Sequence, residues 1–189
     1  MISLSEASQI QFLETFLHSA GISALYRAVS SESAFEHLLI VMAAEMAERP
    51  ARLYCVNSVL QALGQEAPES FQILDLVQPL GISVSTAREQ KLAYVLGILN
   101  RILPGPVLLF NAQDGVYLKQ SFIQTEEDEL WPGLLLESLA YFKDLAPVLS
   151  HELLAVAENK QTAEAAIKNL EQALAKPPAG RGPLFQPET

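Results

Sequence analysis

Three histidines, a lone cysteine and a run of carboxylates are the residues whose chemistry has to be weighed first. His18, His37 and His151 lie far apart, and none has a partner at the HxxxH or HxxE spacing that places two ligands on one helix face. They read as surface or half-buried histidines, and no metal is expected. Cys55 sits in a β-like stretch without the Gly-rich turn and adjacent base that a nucleophile needs, so it reads as a buried structural thiol. A lone cysteine also excludes an internal disulfide and a cysteine-rich zinc site. No GxSxG, P-loop or GxGxxG pattern occurs, and Pro104-Gly105-Pro106 is a connector rather than a phosphate cradle. The run Glu126-Glu127-Asp128-Glu129 falls where a helix should open, so dipole and capping effects account for it. Asp75 interrupts an apolar stretch, and an edge or outward-facing position is expected over a buried paired carboxylate. No catalytic residue, cofactor or small-molecule substrate is expected.

What remains is residues suited to holding another protein. Trp131 precedes Pro132 at the start of a helix and is expected to pack over its entrance, with partner contact as the alternative. Ile167, Leu170 and Leu174 share one face of an amphipathic segment, QTAEAAIKNLEQALA, which can pack on its own domain or on another chain. Leu184 and Phe185 form an apolar island in a Pro- and Gly-rich tail, the kind that docks into a partner's groove.

The 189 residues are half hydrophobic, enough for one domain with a proper core. The net charge of -10 argues against nucleic acid and against an anionic membrane surface. The N-terminal stretch lacks a basic region and carries Glu6 and Glu14, so a secretory signal is not expected. No apolar run reaches the roughly 18–20 residues of a membrane span. A cytoplasmic protein, with a protein partner or a second copy of itself, is expected.

The elements that must position these residues read as follows. Ile10, Leu13, Phe16 and Leu17 have helical spacing, and Gly21 stops that helix. Residues 21–29 are expected as a strand. Residues 37–46 and 51–60 read as a hairpin about Glu48-Arg49-Pro50, and 71–82 as a further strand weakened by Pro79. Thr86 and Glu89 have capping-box spacing ahead of the stripe Leu92, Val95, Leu96, Leu99 and Ile102. Residues 107–123 form a hairpin about Asp114-Gly115. A long helix covers about 128–157, kinked or divided at Pro147, and an amphipathic helix covers 161–175. Grouped, hairpin-linked strands favour an α+β fold, an antiparallel sheet with helices packed on one face.

Three passages carry a family resemblance: FQILDLVQPLGI, KLAYVLGILNRILPGPVLLFNAQDGVYLKQSFI and WPGLLLESLAYFKDLAPVL. Their order of strand, helix, Asp-Gly hairpin and long closing helix resembles the YbjN-like family, whose fold is similar to that of type III secretion chaperones. The resemblance covers about residues 8–157. It implies a small, often dimeric α+β domain that binds protein segments, and it supplies no catalytic residues. The expected layout is this domain over 1–157, a helical extension over 158–176 and a flexible tail over 177–189. The expected function is a non-enzymatic, chaperone-like or adaptor module. The alternative is a subunit of a larger assembly, docked through the C-terminal helix and tail.

Overall fold

The structure is a computed structural model that describes residues 6–30, 35–46, 48–56, 60, 63–66, 71–111, 115–125 and 131–175. Among these, six strands pair in one antiparallel sheet: β1 (Ser23–Arg27), β2 (His37–Val41), β3 (Ala51–Cys55), β4 (Phe71–Pro79), β5 (Val107–Asn111) and β6 (Gly115–Thr125). Their spatial order is β1-β2-β3-β4-β6-β5, so the chain leaves β4, passes through a helix and returns at the far edge. The helices are α1 (Glu6–Ser19), α2 (Thr86–Ile102), α3 (Trp131–Ala157) and α4 (Ala163–Leu174). This is the α+β architecture expected from the sequence.

Alternation decides which face of the sheet is buried. Ala51, Leu53 and Cys55 of β3 are buried while Arg52 is exposed. On β4 Leu74, Leu76 and Gln78 point inward, and on β6 Val116 and Leu118 do. The helices cover that inner face. Leu13 and Leu17 from α1, Val95 and Leu99 from α2, and Leu135 and Phe142 from α3 join the strands in one buried cluster. At about 1.5–3 kcal/mol for each fully buried large side chain, such a cluster outweighs any propensity conflict along the chain.

That cluster also contains Ala163, Ala166 and Leu170 of α4. The C-terminal helix therefore shares the core of the preceding elements. Its junction with α3 is tightly satisfied. Asn159 adopts a left-handed φ of 63°, while Lys160 N–H bonds to the Ala155 carbonyl at 2.7 Å and Asn159 N–H to that of Val156 at 3.0 Å. This is the Schellman arrangement that uses up the last carbonyls of a helix. Arg88 of α2 adds a charged donor to the Ala157 carbonyl at 2.6 Å, where the α3 dipole favours a cation, and Lys91 donates to the Gln161 carbonyl in the connection at 3.2 Å. Thr162 Oγ1 accepts from Ala165 N–H at 3.2 Å and caps α4.

Some expected boundaries move. Residues 37–46 form β2 and then a 3-10 turn at Ala44–Met46, and the strand expected over 51–60 ends at Cys55. Pro147 lies inside a continuous α3. Thr86, expected to open the capping box, is not the N-cap residue. Ser85 is the N-cap, with extended φ and ψ, and its side chain makes no cap hydrogen bond. Thr86 is already helical, and a helical residue cannot hold the extended backbone that a capping side chain requires. Asp114 and the acidic run 126–129 lie outside the described residues.

Two outcomes follow from these contacts. Gly115 opens β6 at φ +80°, and a Cβ there would strike the Ile82 carbonyl oxygen, which accepts from Val116 N–H at 3.2 Å. Gly115→Ala is expected to cost about 2–4 kcal/mol, read as a lowered urea midpoint; an unchanged midpoint contradicts this close approach. Glu152 anchors the α3–α4 junction. Burial pushes its carboxyl pKa up, but hydrogen bonds from Gln161, Asn169 and His151 outweigh it and hold the pKa below the ordinary 4.5. The unfolded chain then binds protons more readily than the folded one. Stability from this group is full above about pH 4.5 and is lost as the pH falls through the lower folded value. Glu152→Ala should lower stability at pH 7 by about 1–3 kcal/mol and flatten the loss of stability below pH 4.5, measured by urea titration across pH.

Candidate functional site

Strand register defines the face of the sheet that no described helix covers. Three rows cross it, and the Ile73–Ile123 pair adds another at the end of β4 and β6. Arg27, His37, Tyr54, Asp75 and Ser121 are successive partners in the first. Leu25, Leu39, Arg52, Val77, Lys119 and Val107 make the second. Pro79, Tyr117 and Leu109 make the apolar end of the third, with Ser23 and Val41 in line on the far strands. Alternation alone would put polar residues on a solvent face. Here Leu25 is 48% exposed, Val107 40% and Ile123 66%.

The charges on this face are unevenly matched. Lys119 pairs with Asp75 at 2.7 Å, and Ser121 Oγ donates to the same carboxylate at 2.6 Å. Asp75 therefore points outward, as expected, but from the central strand β4 rather than an edge, and it is paired. Arg27 and Arg52 are exposed and have no ion pair among the described residues; Arg52 lies 3.5 Å from the Tyr54 hydroxyl. His37, 7% exposed, donates from Nδ1 to the Phe35 carbonyl at 3.0 Å and packs on Tyr54 with ring centroids 5.3 Å apart.

Side chains occupy part of each edge of the sheet. On β5, Asn100 of α2 accepts from Leu108 N–H at 2.6 Å and donates to its carbonyl at 2.9 Å, as a neighbouring strand would. On β1, Glu14 accepts from Tyr26 N–H at 2.8 Å, and the His18 ring donates from Nε2 to the Ala24 carbonyl at 2.7 Å. Edge strands left open are templates for pairing with other chains, and these side chains occupy two backbone groups of that template on each side. Tyr26 is held in turn by its hydroxyl, which bonds to Glu36 at 2.7 Å. That bond, with burial and the nearby charge, pushes the phenol pKa up to about 12.

The residues singled out in the sequence do not come together. Leu170 is fully buried, and Ile167 and Leu174 are half-buried against the core, so this face of α4 serves its own domain. Trp131 opens α3, but its side chain is not among those described, and Leu184 and Phe185 lie outside the described residues. The three histidines remain apart, and among the described residues no group of His, Cys, Asp or Glu is placed to hold a metal ion. Cys55 is buried. No helix among the described residues is long and apolar enough to cross a membrane.

A pocket of about 200 Å³ lies where Arg49, Gln78, Leu80, Pro147 and Ser150 meet. Its polar groups serve the backbone: Arg49 and Ser150 both donate to the Leu80 carbonyl at 3.2 Å. Gln78 donates to the Arg49 and Pro79 carbonyls at 2.9 Å, which fixes its amide orientation and leaves its buried Oε1 without a protein donor.

Sequence reasoning missed Arg27, Arg52, Asn100 and Glu14. The two arginines had a signal, since each alternates with apolar strand residues. Asn100 and Glu14 had none, because their roles exist only once a helix lies beside a particular strand edge. In comparisons with family models, curated proteins and solved structures, none matches this chain.

Asn100→Ala should reopen the β5 edge at Leu108. The expected result is a loss of about 1–3 kcal/mol in urea unfolding together with concentration-dependent self-association in sedimentation velocity. A destabilised variant with the sedimentation behaviour of the parent would mean that Asn100 is a hydrogen-bond partner without an edge-blocking role.

Proposed function

We propose that the protein is a non-enzymatic protein-binding module, chaperone-like or adaptor-like, which holds a segment of a partner against the open face of its sheet. The observation that carries this reading is the face itself: a six-stranded surface with exposed leucine, valine and isoleucine and no described helix over it. Leu25 and Val107 stand on the two edge strands of that face and Ile123 towards the end of β6, so a partner that covers all three must span the sheet. The resemblance to the YbjN-like family and to secretion chaperones points the same way, and a buried free thiol accords with a cytoplasmic setting.

The test is affinity capture from native extract, read by mass spectrometry, with three baits: the full chain, residues 1–175, and Leu25→Ser/Val107→Ser/Ile123→Ser. A partner held equally by the first two and lost from the third is the expected result. A partner lost on removal of residues 176–189 and kept by the face variant would transfer function to the tail, as in the assembly-subunit reading. Capture of nothing by any bait would remove the protein-binding reading.

A further inference from the structure

The pocket between the end of β4 and Pro147 of α3 contains a polar group that the fold leaves unanswered. Gln78 is 1% exposed, and its Oε1 is the one buried side-chain nitrogen or oxygen among the described residues with no hydrogen-bond partner. The amide cannot be turned to cure this, because both partners of Nε2, the Arg49 and Pro79 carbonyls at 2.9 Å, are acceptors. A buried acceptor without a donor costs about 1–3 kcal/mol. A molecule seated in the pocket with an N–H or O–H group on Gln78 recovers that cost.

Arg49 supplies the opposite requirement at the rim. It is exposed, makes no ion pair among the described residues, and spends Nη1 on the Leu80 carbonyl at 3.2 Å. A guanidinium has further donors, in a fork that fits a carboxylate. Ser150 Oγ donates to the same Leu80 carbonyl at 3.2 Å, so that carbonyl keeps a donor when Arg49 turns to a ligand. Gly81 makes the room, since a Cβ there would strike the Arg49 guanidinium. Because Gln78 is buried, a ligand reaches Oε1 only where the rim gives way. The exposed Arg49 side chain, held by a single bond among the described residues, is the part of the rim that can.

Size and lining select an organic molecule over a water. The pocket measures about 200 Å³. A cavity of roughly 150 Å³ takes benzene, whereas a water claims about 30 Å³ of liquid. One water on Gln78 would fill little of this pocket and nothing of its apolar side, lined by Met46, Ala146 and Pro147. Glu48, exposed among the lining residues, adds an acceptor for the donor group and disfavours a ligand that is purely anionic.

We infer that this pocket binds a small organic carboxylate that also carries an N–H or O–H donor, the size of an amino acid or a hydroxy acid. The carboxylate pairs with Arg49, the donor group meets Gln78 Oε1, and the hydrocarbon part packs on Met46, Ala146 and Pro147. The site lies on the helix-covered side of the sheet and is independent of the protein-binding reading of the open face.

The experiment titrates the full chain with four probes of one carbon skeleton. They are leucine, its hydroxy-acid analogue, isocaproate, which has no donor beside its carboxylate, and leucinol, which has no carboxylate. The chemical shifts of the Gln78 side-chain amide report occupancy of this site. Leucine or the hydroxy acid is expected to bind saturably and about tenfold tighter than isocaproate and leucinol. Arg49→Gln should weaken that binding about tenfold. Arg52→Gln, which makes the same charge change on the open face, should not. Thermal melts of both variants check that the fold is kept. Shifts that saturate with none of the probes would mean that water alone occupies the pocket. That result, equal affinity for all four probes, or equal loss in the two variants would each overturn the inference.

Discussion

The nine-residue pairing of β4 with β6 is the constraint on which the remainder of the molecule depends. It runs from Phe71 opposite Thr125 to Pro79 opposite Tyr117 and holds the two halves of the sheet together. Because side chains alternate, a slip by one residue would turn Leu74, Leu76 and Leu118 to solvent and bring Asp75 and Lys119 against the helices. A buried ion pair in place of packed leucines would cost several kcal/mol, which is why the register is specified. The close approach of Gly115 to Ile82 and the bond from Leu80 N–H to the Val116 carbonyl at 2.9 Å pin it at one end. Lys119, Asp75 and Ser121 pin it across the ladder.

With register set, the sheet has one face for the core and two edges to manage. The four described helices share the first task, and two of them also act on the second. α1 closes β1 through Glu14 and His18 while burying Leu13 and Leu17; α2 closes β5 through Asn100 while burying Val95 and Leu99. Each helix therefore has its axial position fixed twice, by packing and by hydrogen bonds to a strand edge. The outer face is what these devices leave accessible. Side chains that obstruct pairing at both edges while Leu25, Val107 and Ile123 stay exposed treat two forms of stickiness differently.

Much of this was legible in the sequence. The strand at 71–79, the hairpin ending in a left-handed glycine and the stripe of α2 each had periodicity or turn chemistry strong enough to stand alone. The layer arrangement followed, since grouped strands and separate amphipathic helices have few ways to bury their apolar sides. The end of β3 was less legible, because Val56 and the residues after it are as suited to a strand as Tyr54 is, and tertiary context decides. Ser85 and Thr86 are both good cap residues, so local chemistry did not fix the start of α2. The role of α4 was ambiguous for a different reason. A face of Ala163, Ala166, Leu170 and Leu174 has the same pattern whether it covers its own core or a neighbour's. The open face was hardest to see, since it joins residues from six strands and becomes a surface only through their register.

The chain's overall acidity and the basic character of its open face act over different distances. At physiological ionic strength charges are screened beyond about 8 Å, so the net charge of -10 sets a weak long-range repulsion between copies and towards acidic partners. Within that length Arg27 and Arg52 dominate what an approaching carboxylate feels. The same balance disfavours a dimer through this face, because two copies would bring together their long-range repulsion and their exposed arginines, with Asp75 already paired to Lys119.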